Sequence, residues 1–263
     1  MEDPKVALRA LNLACERPTS AELKLRDASL KRCASYLKKL RVLTEDLRET
    51  LLAELDKLNL TKFIDEAAAA IAEAKLKLVD IPSAVQVCSY LHRTYAPFAP
   101  SLQALLLKTL SQPSDAAESD TERTSRLSRK RSTLKLLFEL YAVGVFASAP
   151  PLLSALGELA KDDAAPSDPP HVHLGVLASF AKYAANDPLV LSMQARARLR
   201  EILARFARDR PDAHARGAGT HRRRASSGVV IRRQQRQRRR RRTGCRLRAG
   251  RGGAATSRDA RVL

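Results

Sequence analysis

Arg129-Lys130-Arg131 and His171-x-His173 are the two small clusters whose residue types and spacing could do chemistry. Three consecutive cations leading into a helix at Leu134, with Arg123 and Arg126 just before them, could hold a phosphate, because helix-terminal amides and cations both attract an anion. A charge run in a loop is also commonly no more than a solvated face. Two histidines one residue apart could supply two ligands to a metal. They lie in a proline-flanked stretch with no Cys or carboxylate at a fixed spacing beside them, so a solvated loop is the reading. His92 sits one position past Leu91, at the edge of an apolar stripe, and reads as a packing histidine. Asp65, Glu66 and Glu73 share a stretch with Lys62, Lys75 and Lys77, and paired charges on a solvent face account for them.

Nothing else in the chain carries a reaction. The sequence has no Walker loop, no GxGxxG after a strand, no GxSxG elbow and no HExxH. Cys15, Cys33, Cys88 and Cys245 stand far apart with no CxxC spacing, which argues against a disulfide framework and a zinc knuckle. They read as reduced thiols, the first three buried as small hydrophobes. The expectation is a protein with no catalytic residue, no cofactor and no metal.

A larger basic region closes the chain. The 263 residues hold 48 Lys+Arg against 28 Asp+Glu, and residues 209–263 alone hold 18 Arg, no Lys and 3 Asp. The runs are Arg222, Arg223 and Arg224, then Arg232 and Arg233, then Arg236, Arg238, Arg239, Arg240, Arg241 and Arg242. With no Tyr or Phe and 7 of the 10 Gly, this tail cannot bury enough apolar surface to offset the entropy of ordering it, and it reads as disordered. Such arginine density binds any polyanion by counterion release, without base readout because no aromatic is interleaved. It would also serve as a nuclear import signal. Arginine without lysine, amid Ala and Gly, is equally what a GC-rich message gives when read out of frame, so a gene-model artefact is the alternative origin.

The elements that must position these residues are helices. Residues 1–208 contain three Gly and no alternating β-branched stretch, and they are rich in Ala, Leu, Glu, Lys and Arg. Leu30, Cys33, Leu37 and Leu40 follow a 3-4-3 rhythm that Leu47, Leu51 and Leu55 continue. The segment Thr19 to Ile81 has no proline, so it reads as one long helix or two with a bend near Thr44, after which Thr61 caps a helix through Leu78. Ser83 caps the next, which stops before Pro97. Pro100 opens another from Ser101 to Leu110. Ser111 to Ser128 is polar and reads as a loop. Leu134, Leu137, Phe138, Tyr141 and Val145 form one stripe, stopped at Pro150-Pro151 ahead of a helix from Leu152 to Leu159. A second loop at Asp162 to Pro170 precedes helices around Val172 to Ala184 and Leu189 to Phe206. About nine helices in consecutive pairs suit antiparallel hairpins stacked side by side. No apolar run is long enough for a membrane span, and the acidic start Met1-Glu2-Asp3 is unlike a secretory signal, so an intracellular protein without a membrane partner is expected.

Several stretches also carry a family resemblance. Leu11-Asn12-Leu13, Leu58-Asn59-Leu60-Thr61-Lys62-Phe63, Glu73-Ala74-Lys75-Leu76-Lys77 and Ala84-Val85-Gln86-Val87-Cys88 resemble the first helical domain of the regulator of nonsense transcripts 2 family, the up-frameshift scaffold of nonsense-mediated mRNA decay. His92-Arg93-Thr94-Tyr95 continues the match, and Lys130 to Tyr141 with Val143-Gly144-Val145 is similar to the plant and algal forms. The resemblance covers roughly residues 5–185. It implies an all-α fold of HEAT-like stacked antiparallel hairpins, the middle-domain type of initiation factor 4G, over residues 1–208, with the Arg-rich tail at 209–263 outside it.

The implied function is a non-catalytic scaffold of that decay pathway, working in the cytoplasm with perinuclear or nuclear shuttling, and binding decay factors and RNA through helical surfaces. The alternative is a general RNA-binding protein acting through the tail. In the family three such domains stand in tandem, and the decay helicase and exon-junction-linked proteins are engaged by regions beyond the first. No family partner residue therefore carries over. The matched residues read mostly as core, with Lys62, Lys75, Lys77, Lys130 and Arg131, and Arg129 beside them, as surface contacts to RNA or a partner.

Overall fold

The computed structural model describes residues 4–113, 118–164, 172–185, 197, 200–202 and 204. Ten α-helices are delimited among them: α1 (Pro4–Ala14), α2 (Ser20–Lys24), α3 (Leu30–Arg41), α4 (Arg48–Leu55), α5 (Ile64–Glu73), α6 (Ile81–Thr94), α7 (Phe98–Leu110), α8 (Asp120–Ala142), α9 (Pro150–Ala164) and α10 (Leu174–Ala185). A 3₁₀ turn, Thr61–Phe63, leads into α5. No described helix is long and apolar enough to cross a membrane.

From α3 onward the helices alternate between two layers. Helices α3, α5, α7 and α9 lie side by side in one, and α4, α6, α8 and α10 in the other, while α1 packs on α6. This is the stacked-hairpin arrangement the helix pattern suggests, since each consecutive pair leaves an apolar face for the next pair to cover. Composition follows position. Helix α5 lies between α3 and α7, and its buried residues are Ile64, Ala67, Ala68, Ala70, Ile71 and Ala72, small enough for both neighbours to approach closely. The core between the layers holds Tyr36, Leu51, Leu91, Phe98 and Phe138, each essentially shielded from solvent.

The Pro-free stretch is broken where no glycine or proline marks it. Asp27 bridges to Leu58: its amide donates to the Lys57 carbonyl at 2.9 Å, and its carbonyl accepts from the Asn59 amide at 2.9 Å. Its carboxylate also accepts from the Ser29 amide at 2.7 Å. The segment before α3 is thus pinned in an extended form, and α2 and α3 are separate helices rather than one. Thr61 does not cap α5; its hydroxyl donates to Asn59 Oδ1 at 2.6 Å, and Asn59 also takes the Thr61 amide at 3.1 Å. Helix α5 ends at Glu73, so Leu78 lies on a connector, 43% exposed. Ser83 is buried inside α6, whose first turn begins at Ile81 with Pro82 beside it.

Helix α8 departs furthest from expectation. It starts at Asp120, inside the stretch expected to be a loop, and runs for 23 residues. Ser119 and Glu122 form a reciprocal capping box: the Ser119 hydroxyl accepts from the Glu122 amide at 3.3 Å, and the Glu122 carboxylate takes the Ser119 amide at 2.9 Å. Its stop is Gly144, not the proline pair. Gly144 adopts φ +76°, its amide donates to the Tyr141 carbonyl at 3.1 Å, and the Val145 amide reaches the Leu140 carbonyl at 2.9 Å. These are the two bonds of a Schellman cap. Pro150 and Pro151 open α9, where a missing N–H costs nothing. That helix runs on through Ala164, three residues into the expected loop. The helix expected at Leu189 to Phe206 and all of residues 209–263 fall largely or wholly outside the described residues.

Helix α1 straps the far end of α8. Arg9 Nη1 donates to the Ala142 carbonyl at 2.6 Å, and Asn12 Nδ2 donates to the Val143 carbonyl at 2.8 Å and the Ser89 hydroxyl at 3.0 Å. Lys5 pairs with Glu139 at 2.9 Å. Asn12 is the buried residue here, whereas Leu11 and Leu13 are exposed, so the expectation that the matched leucines are core fails at these two positions. Cys33 and Cys88 are buried as expected; Cys15 is only half-buried.

Candidate functional site

A groove of about 670 Å³ opens between the 74–80 connector and the first half of α8. Lys75, Lys77, Arg129 and Arg131 line it together with a row of hydroxyls, over a floor that includes Ile71, Leu106 and Leu136. Two anchors hold it. On the connector side, buried Asp80 accepts from the Lys77 amide through Oδ2 and from the Glu45 amide through Oδ1, both at 3.2 Å, tying the connector to the turn between α3 and α4. On the other side, Glu118 grips Arg126 with two bonds of 2.8 and 2.9 Å in a nearly enclosed pair. That guanidinium holds the Glu118 carboxyl below its ordinary range.

The cations are placed by different means. Lys75 and Lys77 are exposed because the connector leaves the helix after Ala74. Arg129 bends back to donate from Nη2 to the Ala72 carbonyl at 3.1 Å, in the open last turn of α5, where a cation also meets the negative end of the helix dipole. Arg131 is half-buried, and its Nη2 lies 3.6 Å from where a Cβ on Gly175 would stand. Its Nε is shut from solvent without a hydrogen-bond partner among the described residues.

Lys130 turns the other way. It is 2% exposed, and its Nζ lies 3.2 Å from Nε2 of His173, which is also buried. Burial, and secondarily the neighbouring Arg126 charge, bring its pKa down to about 8, against the opposing pull of Asp162 and Glu118. The expected contact at Lys130 is therefore corrected: it joins α8 to the start of α10. The reading of Arg129-Lys130-Arg131 as cations at a helix N-terminus is corrected too, since they sit three turns inside α8. His173 is corrected from solvated loop to buried partner, whereas His171 lies outside the described residues. Lys62 is exposed on the 3₁₀ turn and does not line the groove. His92 is half-buried, as expected of a packing residue, and burial chiefly, with Arg17, lowers its pKa.

The sequence reading missed the hydroxyls. Thr121, Thr124, Ser125, Ser128 and Ser132 all line the groove, at i, i+3, i+4, i+7 and i+11. That is the spacing of one helix face, legible once the Ser119 capping box is recognised. A smaller hollow of about 280 Å³ adjoins it, sharing Leu78 and Arg131 and adding Lys135 and Lys182. Lys135 Nζ stands 4.4 Å over the Tyr183 ring there. Among the described residues no group of three or more His, Cys, Asp or Glu is placed to hold a metal ion.

No protein-family model matches the chain. It is 41% identical over 181 residues to the regulator of nonsense transcripts UPF2 of Arabidopsis thaliana, covering 68% of this chain and 15% of the relative. It is 35% identical over 176 residues to human regulator of nonsense transcripts 2, covering 67% of this chain and 13% of the relative. The chain thus spans about a seventh of the length of these relatives. Among solved structures it superposes on the first MIF4G domain of human UPF2 with a TM-score of 0.67 and 26% identity, over 84% of this chain and 79% of that one. The N-terminal mIF4G domain of Saccharomyces cerevisiae Upf2 gives 0.62 at 22% identity, over 97% and 88%. With the two-layer stack, the sequence kinship and the superposition agreeing, the helical body of this chain belongs with the first MIF4G domains of the regulators of nonsense transcripts 2.

Proposed function

We propose that this chain is a non-catalytic scaffold unit of nonsense-mediated mRNA decay, which holds decay factors on helical surfaces and uses the groove beside α8 as one of them. The observation that carries the proposal is convergence. Four of the six cations singled out in the body by sequence, Lys75, Lys77, Arg129 and Arg131, line one groove on a frame fixed by Asp80 and the Glu118–Arg126 pair. The names of the relatives support the pathway.

Two experiments test it. The tagged chain should co-purify decay factors from cells of its source, and replacing the matching domain of a full-length relative with residues 1–208 should keep a premature-stop reporter low. Failure of both overturns the scaffold reading. The arginine density of residues 209–263 favours a second reading, a general RNA-binding protein. Deleting that tail abolishes RNA binding on the second reading and leaves partner binding intact on the first.

A further inference from the structure

We propose that the groove between the 74–80 connector and α8 seats an extended segment of a protein partner in which acidic residues alternate with aliphatic ones. This rests on the scaffold reading and names the chemistry of its partner.

Charge comes first. Among the described residues no carboxylate lines the groove, and the carboxylates nearest in sequence are already engaged. Glu73 faces Arg41 at 3.8 Å, Glu118 is held by Arg126, Asp80 is buried on two backbone amides, Asp120 pairs with Arg123 at 2.9 Å, and Glu122 is taken up in the cap with Ser119. Among the described residues, Lys75, Lys77 and Arg131 have no ion-pair partner of their own, while Arg129 spends one N–H on Ala72. An anionic segment would meet uncompensated positive charge along both walls, and such complementarity sets partner choice and encounter rate.

The floor decides between protein and nucleic acid. Unpaired bases need aromatic platforms to stack on, and none is among the described residues that line the groove. In the adjoining hollow the Tyr183 face carries the Lys135 ammonium and the ring packs T-shaped with Phe138, while Phe180 is buried. What the groove offers is aliphatic: Ile71 and Leu136 below, and Leu78 exposed at the rim. Aliphatic side chains alternating with carboxylates satisfy both surfaces at once, because successive side chains of an extended segment point to opposite sides. The Thr124 hydroxyl already donates to the Asp120 carbonyl, but those of Ser125 and Ser128 can donate to the segment's carbonyls without adding charge.

The test uses the full 263-residue chain and three labelled probes at physiological salt. One is a peptide of repeated Glu-Leu units of about twelve residues, ~40 Å when extended. The second has Ser in place of every Leu, and the third is an oligouridine of similar length. Each carries a photo-crosslinker so that the site of contact is read by mass spectrometry. The Leu peptide should crosslink within residues 71–78 and 121–136, bind roughly fivefold or more tighter than the Ser peptide, and lose that advantage in the double variant Lys75→Glu with Arg131→Glu. Crosslinks confined to residues 209–263, equal binding of the two peptides, or oligouridine displacing the Leu peptide from the groove would each overturn the proposal. Because the Leu-to-Ser comparison uses the unaltered protein, a misfolded variant cannot hide the answer. If decay factors co-purify with the double variant as with the parent, the scaffold reading stands and this inference fails. If the peptide behaves as expected but no decay factor co-purifies, the reverse holds.

Discussion

Two cationic stretches meet at the same groove and are presented in opposite ways. On the 74–80 connector, Lys75 and Lys77 both point to solvent because no regular period governs them and the buried anchor is Asp80. In α8, the helical period splits three consecutive cations: Arg129 and Arg131 go to the groove, and Lys130 goes to the core, four residues before Leu134 and seven before Leu137. Charge in the sequence becomes charge on a surface only through the element that carries it.

The contrast can be broken most forcefully on the inward face of α8. Phe138→Ala should cost about 3–5 kcal/mol, since its fully buried ring also packs edge-on against Phe180 at 5.4 Å between centroids. Arg129→Ala, on the opposite face of the same helix, should stay within about 1 kcal/mol. Denaturant unfolding of both variants measures the gap, and equal losses would refute the two-faced helix.

Lys130 sharpens the contrast through pH. Its value falls from 10.5 unfolded to about 8 folded, so between those limits the unfolded chain holds the proton and the native chain does not. Stability therefore rises with pH across that window. Replacing the lysine by an apolar side chain removes this dependence, so Lys130→Met should equal or exceed the parent at neutral pH and lose ground to it by on the order of 3 kcal/mol toward pH 10.5. A constant difference between the two would show that Lys130 is not held neutral-prone by burial.

Gly144 offers the next effect. A Cβ there would stand 3.3 Å from Leu13 Cδ2 at a φ of +76°, so Gly144→Ala should cost about 1–2 kcal/mol by melting temperature. Smaller still, Ser119→Ala should cost about 1 kcal/mol and speed amide exchange selectively in the first turns of α8.

What was legible followed from local periodicity. The rhythm Leu30, Cys33, Leu37 and Leu40 placed α3, and Leu51 with Leu55 placed α4. Ser119-x-x-Glu122 and the hydroxyl spacing after it were equally local, but the polar composition of residues 111–128 outweighed them. Other features depend on contacts far along the chain. Nothing near Asp27 announces that it will bridge to residues 57–59, and nothing near Asp80 that it will collect the Glu45 amide. The same holds for the site. Lys75 and Lys77 could be picked out as surface cations, whereas their meeting with Arg129 and Arg131 needed the stacking of α5, α7 and α8.

The strap formed by α1 sets a clock on the birth of this domain. Asn12 waits for Val143, 131 residues later in the chain. At roughly 5–20 residues per second of synthesis, that is about 7–26 seconds during which the first helix lacks its α8 partners and has α6 alone to pack on once that helix is made. Leu11 and Leu13 keep apolar surface exposed even in the finished fold, so what the last turn of α8 supplies to this segment is its polar latch, the carbonyls that Arg9 and Asn12 take up, and not cover for its leucines.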